Sequence, residues 1–557
     1  MKRLRWIAPL LGVMLLVSAC SSGGSGPSPG PTTGTSGVGG TVTISNESGG
    51  LWTCGFNPFN PSVSFLAVGV VYEPLIYNDI LTGTNTPWLA TGYQWGAGNR
   101  TLTFTIRSGV TWSDGTPLTA ADVVYTFNLL KRYPALDLNA VWSVLASVTQ
   151  QGSNKVVMTF SHPAVPFFYY IADQVPIVPQ HIWSKLASPV TYKDSQPVGT
   201  GPYTVQQCTP ENIAYVRNPH YWQPGLPKIA KVEYPAFTSN PPANTLLATG
   251  GAQWGGQFIP NIKAFFVAKD PAHRHYWFAP TENVDLYINQ TVYPLNVRAV
   301  RQALAYGINR PRVSQIAEYG YEPPGNQTGV VLPTFRSWYD SQLASQYNYT
   351  YDPAKAIQLL RSAGFTRGSS GVFQTPSGKP LSFTIVNEGG NSDWVAALQM
   401  VKTELAAVGI SIQVDNLSAG AYDTALYDGH YQLGYGFGYG GPTPYYELRA
   451  ALFSGDSAPI GHPAASNFER WRSAQTDSLI SQYASTTSVS VQHQIVDQLE
   501  KIMLQDVPLI PVTEAVDWYQ YNTRSITGWP TPSNPYAQAA PYNFPDWEVV
   551  LLHLKPR

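Results

Sequence analysis

Hydrophobic and polar positions alternate strictly over Thr101–Ile106, with Leu102, Phe104 and Ile106 on one face, as in a half-buried strand. Ser108-Gly109 turns the chain, and Val110 and Trp112 lead to a second turn at Asp114-Gly115. Thr41 to Ser45 alternates in the same way and predicts a first strand, followed by an irregular loop from Trp52 to Pro61. The period then becomes helical. Thr119 can cap a helix whose Val123, Phe127 and Leu130 share a core face, with Asp122 at the positive end of its dipole. Asp352, Pro353 and Gly364 suit the N-cap, N1 and C′ positions of another helix, with Ile357, Leu360 and Ala363 on its apolar face. A third helix, with Leu398, Val401, Leu405 and Val408 inward, ends at Gly409. One stretch fits neither period. Tyr431 to Tyr446, YQLGYGFGYGGPTPYY, alternates glycines and aromatics without a charge. It reads either as an aromatic core strand or as a surface for a neutral, ring-shaped polar molecule.

The N-terminus is an address. Lys2, Arg3 and Arg5 precede an apolar run from Trp6 to Val17 that is too short for a stable span. The run ends in Val17-Ser18-Ala19-Cys20, which resembles a bacterial lipobox, so Cys20 is the expected lipidation site and mature N-terminus. An ordinary secretory signal is the alternative, and either one exports the protein. Residues 1–20 are therefore a signal peptide, and 21–40, rich in Gly, Ser and Pro, a flexible tether. Such a tether reaches roughly 25 Å, and two acyl chains suffice to hold it to a membrane.

The 557 residues suggest two or three domains. Only 12% of residues are charged and the net charge is -1, which removes the electrostatic case for nucleic acid. With Cys20 lipidated, Cys54 and Cys208 remain, and in an oxidising compartment they suggest one disulfide, with two buried thiols as the alternative. No spacing fits zinc, and His273-x-His275 is an isolated pair, so no metal or cofactor is expected.

Several motifs carry a more specific resemblance. RSGVTWSDGTPLTAADVVYTF (107–127), VGTGPY (198–203), YVRNPHYW (215–222), VRQALAYGINR (300–310) and YDPAKAIQLLRSAGF (351–365) are similar to segments of family 5 extracytoplasmic solute-binding proteins. These are the peptide/nickel-type receptors of ABC importers. The resemblance implies an α/β, periplasmic-binding-protein-like fold of type II, the large cluster C kind, with two lobes and an extra inserted small domain. The first lobe is expected at 41–77, 198–287 and 516–557, the insert at 78–197, and the C-terminal lobe at 288–515. Cys54 and Cys208 then both fall in the first lobe. A lipid-anchored, extracytoplasmic monomer that serves ABC permease subunits is the expected state.

Ligands of such receptors sit between the lobes, among aromatics and a few polar groups. The resemblance nominates Trp52 and Asn57 in the first loop, Trp254 and Gln257, and Asn391 and Trp394 before the third helix. It also nominates Tyr435, Phe437, Tyr439 and Tyr445 in the glycine-aromatic stretch, with Trp518 and Trp529 near the C-terminus. For any single tryptophan, core packing is a reading at least as strong as ligand contact. Peptide-binding members are expected to pair the peptide ammonium with an aspartate in the segment aligning with 431–444, and no acid stands between Tyr431 and Tyr446. GAQWGGQFIPN, GGPTPYY and GWPTPSNPYA resemble instead the branch that binds oligosaccharides such as β-linked glucosides. An oligosaccharide is therefore favoured over an oligopeptide. A glycan-acting enzyme and a structural lipoprotein without a ligand are the rival classes. No GxSxG elbow between a strand and a helix, and no HExxH motif, supports catalysis. Gly436-x-Gly438-x-x-Gly441 matches a dinucleotide fingerprint by letter, but prolines rather than a helix are expected after it.

Overall fold

Val42 and Ile44, the apolar positions of the first predicted strand, are fully buried in Gly39–Ser45, the middle strand of a seven-stranded sheet. The structure is a computed structural model and describes residues 37–46, 50–60, 63, 65–347 and 349–557. The leader, Cys20 and the tether up to residue 36 lie outside the described residues. Gly39–Ser45 pairs in parallel with Ile229–Pro235 on one side and Trp254–Gly255 on the other. Asn212–Arg217 and Tyr203–Thr209 extend the first side, while Gln520–Asn522 and Arg274–Tyr276 extend the second. The C-terminal segment thus returns to this sheet, and helix Asp546–His553 seals it by burying Trp547 against Tyr215 and Tyr234. Cys54 and Cys208 are joined in a disulfide, with Cα atoms 5.7 Å apart, tying the first loop to the strand that carries Cys208.

A separate four-stranded antiparallel sheet is ordered Ala90–Trp95, Thr101–Ile106, Lys155–Phe160 and Leu145–Gln151. Leu102, Phe104 and Ile106 are buried as their alternation requires, and helix Ala120–Arg132 packs on the strands Leu145–Gln151 and Lys155–Phe160 with Val123, Phe127 and Leu130 buried in the same core. Asp122 does more than complement the dipole. Its carboxylate accepts from the backbone N–H of Thr119 at 2.8 Å and of Gln180 at 3.0 Å, so the cap also fixes the next segment.

The remaining sheet has five strands, ordered Ser411–Leu417, Ser382–Glu388, Leu433–Phe437, Ala279–Ile288 and Ile510–Asp517. Helices Arg298–Gly307, Pro353–Ser362 and Ser392–Val408 pack on it and on one another. Asp352 accepts from the backbone N–H of Lys355 at 2.9 Å, and Gly364 and Gly409 take positive φ just beyond their helices. The lobe boundary expected at 287/288 falls inside a strand. Ala279–Ile288 pairs with Leu433–Phe437 and Ile510–Asp517, so it belongs to the second sheet rather than the first.

Buried carboxyls are numerous. Asp173, Glu322, Glu500 and Glu514 are each pushed up to about 8 by burial. They take part in none of the ion pairs among the described residues. Folded, each keeps its proton until the pH approaches that value, whereas the unfolded chain releases it near about pH 4. Their contribution is therefore full below the unfolded value and is lost as pH rises through the folded one. The thermal midpoint is expected to be several degrees higher at about pH 5 than at about pH 9. A midpoint that climbs with pH over that window in calorimetry would contradict this.

Candidate functional site

Two antiparallel segments pass between the sheets side by side. Ala279 faces Asp517 and Pro280 faces Val516 in the second sheet, while Arg274–Tyr276 pairs with Gln520–Asn522 in the first. Between these ladders the N–H of Trp277 donates to the carbonyl of Tyr519 at 3.0 Å. Two continuous strands with a hydrogen-bonded crossover form a natural hinge. Beside them lies a cavity of about 880 Å³, a size suited to a small-molecule ligand.

Five of the residues nominated from the sequence line this cavity: Gln257, Asn391, Trp394, Phe437 and Trp518. Trp394 stands in the first turn of helix Ser392–Val408, with its ring edge-on to Tyr435 at 5.6 Å and Phe437 at 4.7 Å. Tyr435 and Phe437 are two apart on one strand and so share a face. Tyr435 is nevertheless fully buried, while Phe437, at the strand's end, is 47% exposed. Tyr435 supports the Trp394 ring from behind, and Phe437 meets the cavity. Glycines occupy the opposite face because it is crowded. The hydroxyl of Tyr422 donates to the carbonyl of Tyr435 at 3.0 Å, and a side chain at Gly436 would displace it.

Tyr439 and Tyr445 line a neighbouring cavity of about 820 Å³, which shares Leu138, Tyr169 and Gly440 with the first. Tyr169 comes from helix Phe167–Ala172, so a segment outside the two larger sheets also borders the cleft. The other nominated residues pack elsewhere. Trp254 is fully buried, donates its indole N–H to the carbonyl of Ala539 at 2.8 Å and packs edge-on to Trp529. Trp529 donates to the carbonyl of Ile526 at 3.1 Å within the same core. Trp52 donates to the carbonyl of Tyr234 at 2.8 Å. Asn57 donates to the carbonyls of Pro189 and Tyr192, clamping the first loop to that segment. Hydrogen bonds to the protein's own backbone occupy the polar atoms of these four residues.

The absence of charge between Tyr431 and Tyr446 does not describe the cavity. Three carboxyls reach it from other elements: Glu282, Asp393 and Asp517. Burial pushes Glu282 up to about 8, reinforced by the charges of Glu447 and Asp517. Burial likewise raises Asp517 to about 7 and Asp393 to about 6. Among the described residues lining the cavity there is no lysine, arginine or histidine. Asp393 and Asp517 each stand next to a nominated tryptophan, a local signal that could have found them. Glu282 and Tyr169 had none.

The dinucleotide-like glycines need a correction too, because helix Tyr445–Leu452 does follow the strand. Its Glu447 fills the place an anion would take, accepting from the N–H of Tyr439 at 2.6 Å, and Asp285 sits beside it under Gly438.

Comparison with known proteins places this geometry. The model of bacterial extracellular solute-binding proteins, family 5 Middle, matches residues 84–458. The chain belongs to that family. Family 5 proteins are the extracytoplasmic solute-binding receptors of ABC importers, and the two-lobed α/β fold is that of their periplasmic members. The chain is 27% identical over 473 residues to a glutathione-binding protein of Escherichia coli (strain K12), covering 81% of this chain and 84% of that one. A glutathione-binding protein of Salmonella paratyphi A is 31% identical over 344 residues, 60% of this chain, and the match spans 61% of that protein's length. Among solved structures, the mannohexaose-bound periplasmic oligopeptide-binding protein of Thermotoga maritima is 27% identical, with a TM-score of 0.85 over 93% of this chain and 98% of that one.

Core and cleft aromatics of this family 5 receptor should separate in urea titrations. Trp254→Ala is expected to cost about 3–5 kcal/mol of stability, as for other large-to-small changes of buried aromatics. Phe437→Ala, at a half-exposed site, should stay within about 1 kcal/mol of wild type. Equal losses in the two variants would contradict these placements.

Proposed function

We propose that this receptor captures a neutral oligosaccharide between its lobes and delivers it to an ABC permease. The observation that carries the reading is the cavity's chemistry: aromatic side chains at Trp394, Phe437 and Trp518 along its wall, with Phe437 the exposed ring, side-chain amides at Gln257, Asn391 and Asn543, and carboxyls without a cation. Aromatic faces cover the C–H side of a pyranose, while amides and carboxyls bond its hydroxyls. The Thermotoga maritima protein, which holds mannohexaose, supports the same class. Glutathione suits the cavity poorly, because its carboxylates would be buried beside three acids with nothing to pair them. An oligopeptide is the second reading, favoured by those same acids, which could take an ammonium.

Isothermal titration with mannohexaose, a cello-oligosaccharide, an oligopeptide and glutathione tests the choice. Binding of a glycan alone is expected, and Phe437→Ala should weaken it by about tenfold or more through the lost ring face. Heat from the peptide alone would replace this reading with the second.

The reading includes a membrane anchor through lipidated Cys20, with 21–40 as its tether and a monomeric receptor body. Among the described residues no helix is long and apolar enough to cross a membrane. In a bacterial host, Cys20→Ala should move the protein from the membrane pellet to the soluble fraction. Continued membrane retention would refute the anchor.

A further inference from the structure

Helix Phe167–Ala172 takes part in two cores at once. Phe167, Ile171 and Ala172 are buried in the core that also holds Val42 and Ile44 of the first sheet. Just beyond the helix, Asp173 accepts from the backbone N–H of Asn78 at 2.7 Å, which fixes it to the same body. Tyr169 and Tyr170 also pack against a different core, in which helices Tyr445–Leu452, Ala474–Ala484 and Val489–Asp506 cover Tyr287 and Val386 of the second sheet.

The chain entering this helix crosses the same gap with its backbone. The N–H of Val165 donates to the carbonyl of Ala484 at 2.9 Å, and the Tyr446 hydroxyl donates to the carbonyl of Pro166 at 2.7 Å. The Tyr446 ring meets Tyr169 and Tyr170 edge-on at 5.4 Å and 5.5 Å. Arg449, held by Asp456 at 2.8 Å, places its guanidinium 5.3 Å from the centre of the Phe167 ring. Pro163 and Pro166 bracket Val165, and proline restricts both its own φ and the residue before it, so this stretch is stiff.

The first cavity meets the crossing strands at Thr281, Glu282 and Trp518, and meets helix Phe167–Ala172 at Tyr169. The neighbouring cavity is lined by Tyr169, Tyr170, Tyr446 and Arg449, and its described lining includes no residue of 274–288 or 510–522. These contacts therefore join the lobes across the ligand cavity from the hinge, and a hinge rotation that opens the cleft has to break them. We propose that 163–170, gripped by Tyr446 and Arg449, is a latch that holds the lobes closed over the cavity. Each contact is individually modest, so together they favour the closed arrangement without making it permanent. The latch is built from the protein alone and does not depend on whether the ligand is a glycan or a peptide.

Tyr446→Phe isolates the latch, because it keeps the ring and removes only the hydroxyl. The Pro166 carbonyl still accepts from the N–H of Tyr169 at 3.2 Å, so no acceptor is orphaned. Amide-resolved hydrogen exchange on the ligand-free full chain reads closure at Val165, whose N–H is bonded across the gap. Protection of Val165 is expected in the wild type, with exchange about fivefold faster in Tyr446→Phe, as befits one lost hydrogen bond. Amides of the strand Asn212–Arg217 should exchange alike in both proteins. An unprotected Val165 in the wild type, or an unchanged rate in the variant, would overturn the latch. Equal acceleration in the strand would overturn it too, by showing that the hydroxyl serves overall stability. Small-angle X-ray scattering of ligand-free Tyr446→Ala, with the strand amides still protected, should give a larger radius of gyration than wild type. A radius equal to wild type in that folded variant would overturn the role in closure, and Tyr446→Phe alone decides the matter where Tyr446→Ala does not fold.

Discussion

The antiparallel pairing of the two segments that cross between the sheets is the constraint on which the rest depends. Ladder bonds hold 274–288 and 510–522 together at both ends, with the Trp277–Tyr519 bond between them. Because the strands are hydrogen-bonded on each side, their short middle section is the place where one lobe can rotate on the other. The same pairing puts Thr281 and Glu282 beside Val516, Asp517 and Trp518, and so builds one wall of the cleft. Trp394, Phe437 and Tyr169 complete it from a helix N-terminus, a strand end and helix Phe167–Ala172.

A second constraint is the burial of acids without bases. Glu73 and Glu548 show how the fold accommodates it. The Trp88 indole N–H donates to both carboxyls, at 2.9 Å and 3.2 Å, and the Trp222 indole donates to Glu73 at 2.9 Å. Burial raises both carboxyls, and in Glu548 the neighbouring Glu73 raises it further. Asp285 and Glu447 are a second buried carboxyl pair, beneath the cleft, where burial raises both and the backbone N–H of Tyr439 donates to Glu447. Around Glu73 and Glu548, donors from aromatic side chains stand in for cations. The low content of charged residues in the sequence thus has a structural counterpart inside the molecule.

Elements defined by neighbouring residues were legible in the sequence. The capped helix between Asp352 and Gly364 and the alternating strand Thr101–Ile106 depend on spacings within one element. The cleft was legible only in part. Asn391 and Trp394 could be found because a helix N-terminus is visible locally. The resemblance nominates Trp254 and Trp529, yet both are core residues. Their burial depends on the return of 526–541 over the first sheet, a contact between distant segments. Glu282 and Asp517 meet only because strands far apart in the chain pair in one register. The uncharged run around Gly436 therefore spoke for its own strand, not for the cavity it borders.

Saturation-transfer difference NMR with mannohexaose tests the central claim, that aromatic faces in the interlobe cavity cover a neutral glycan, most directly. Irradiating the protein's aromatic protons should transfer saturation to the C–H protons of the sugar rings, and Trp394→Ala should reduce the transfer. Absence of transfer to the glycan, with strong transfer to an oligopeptide, would contradict it.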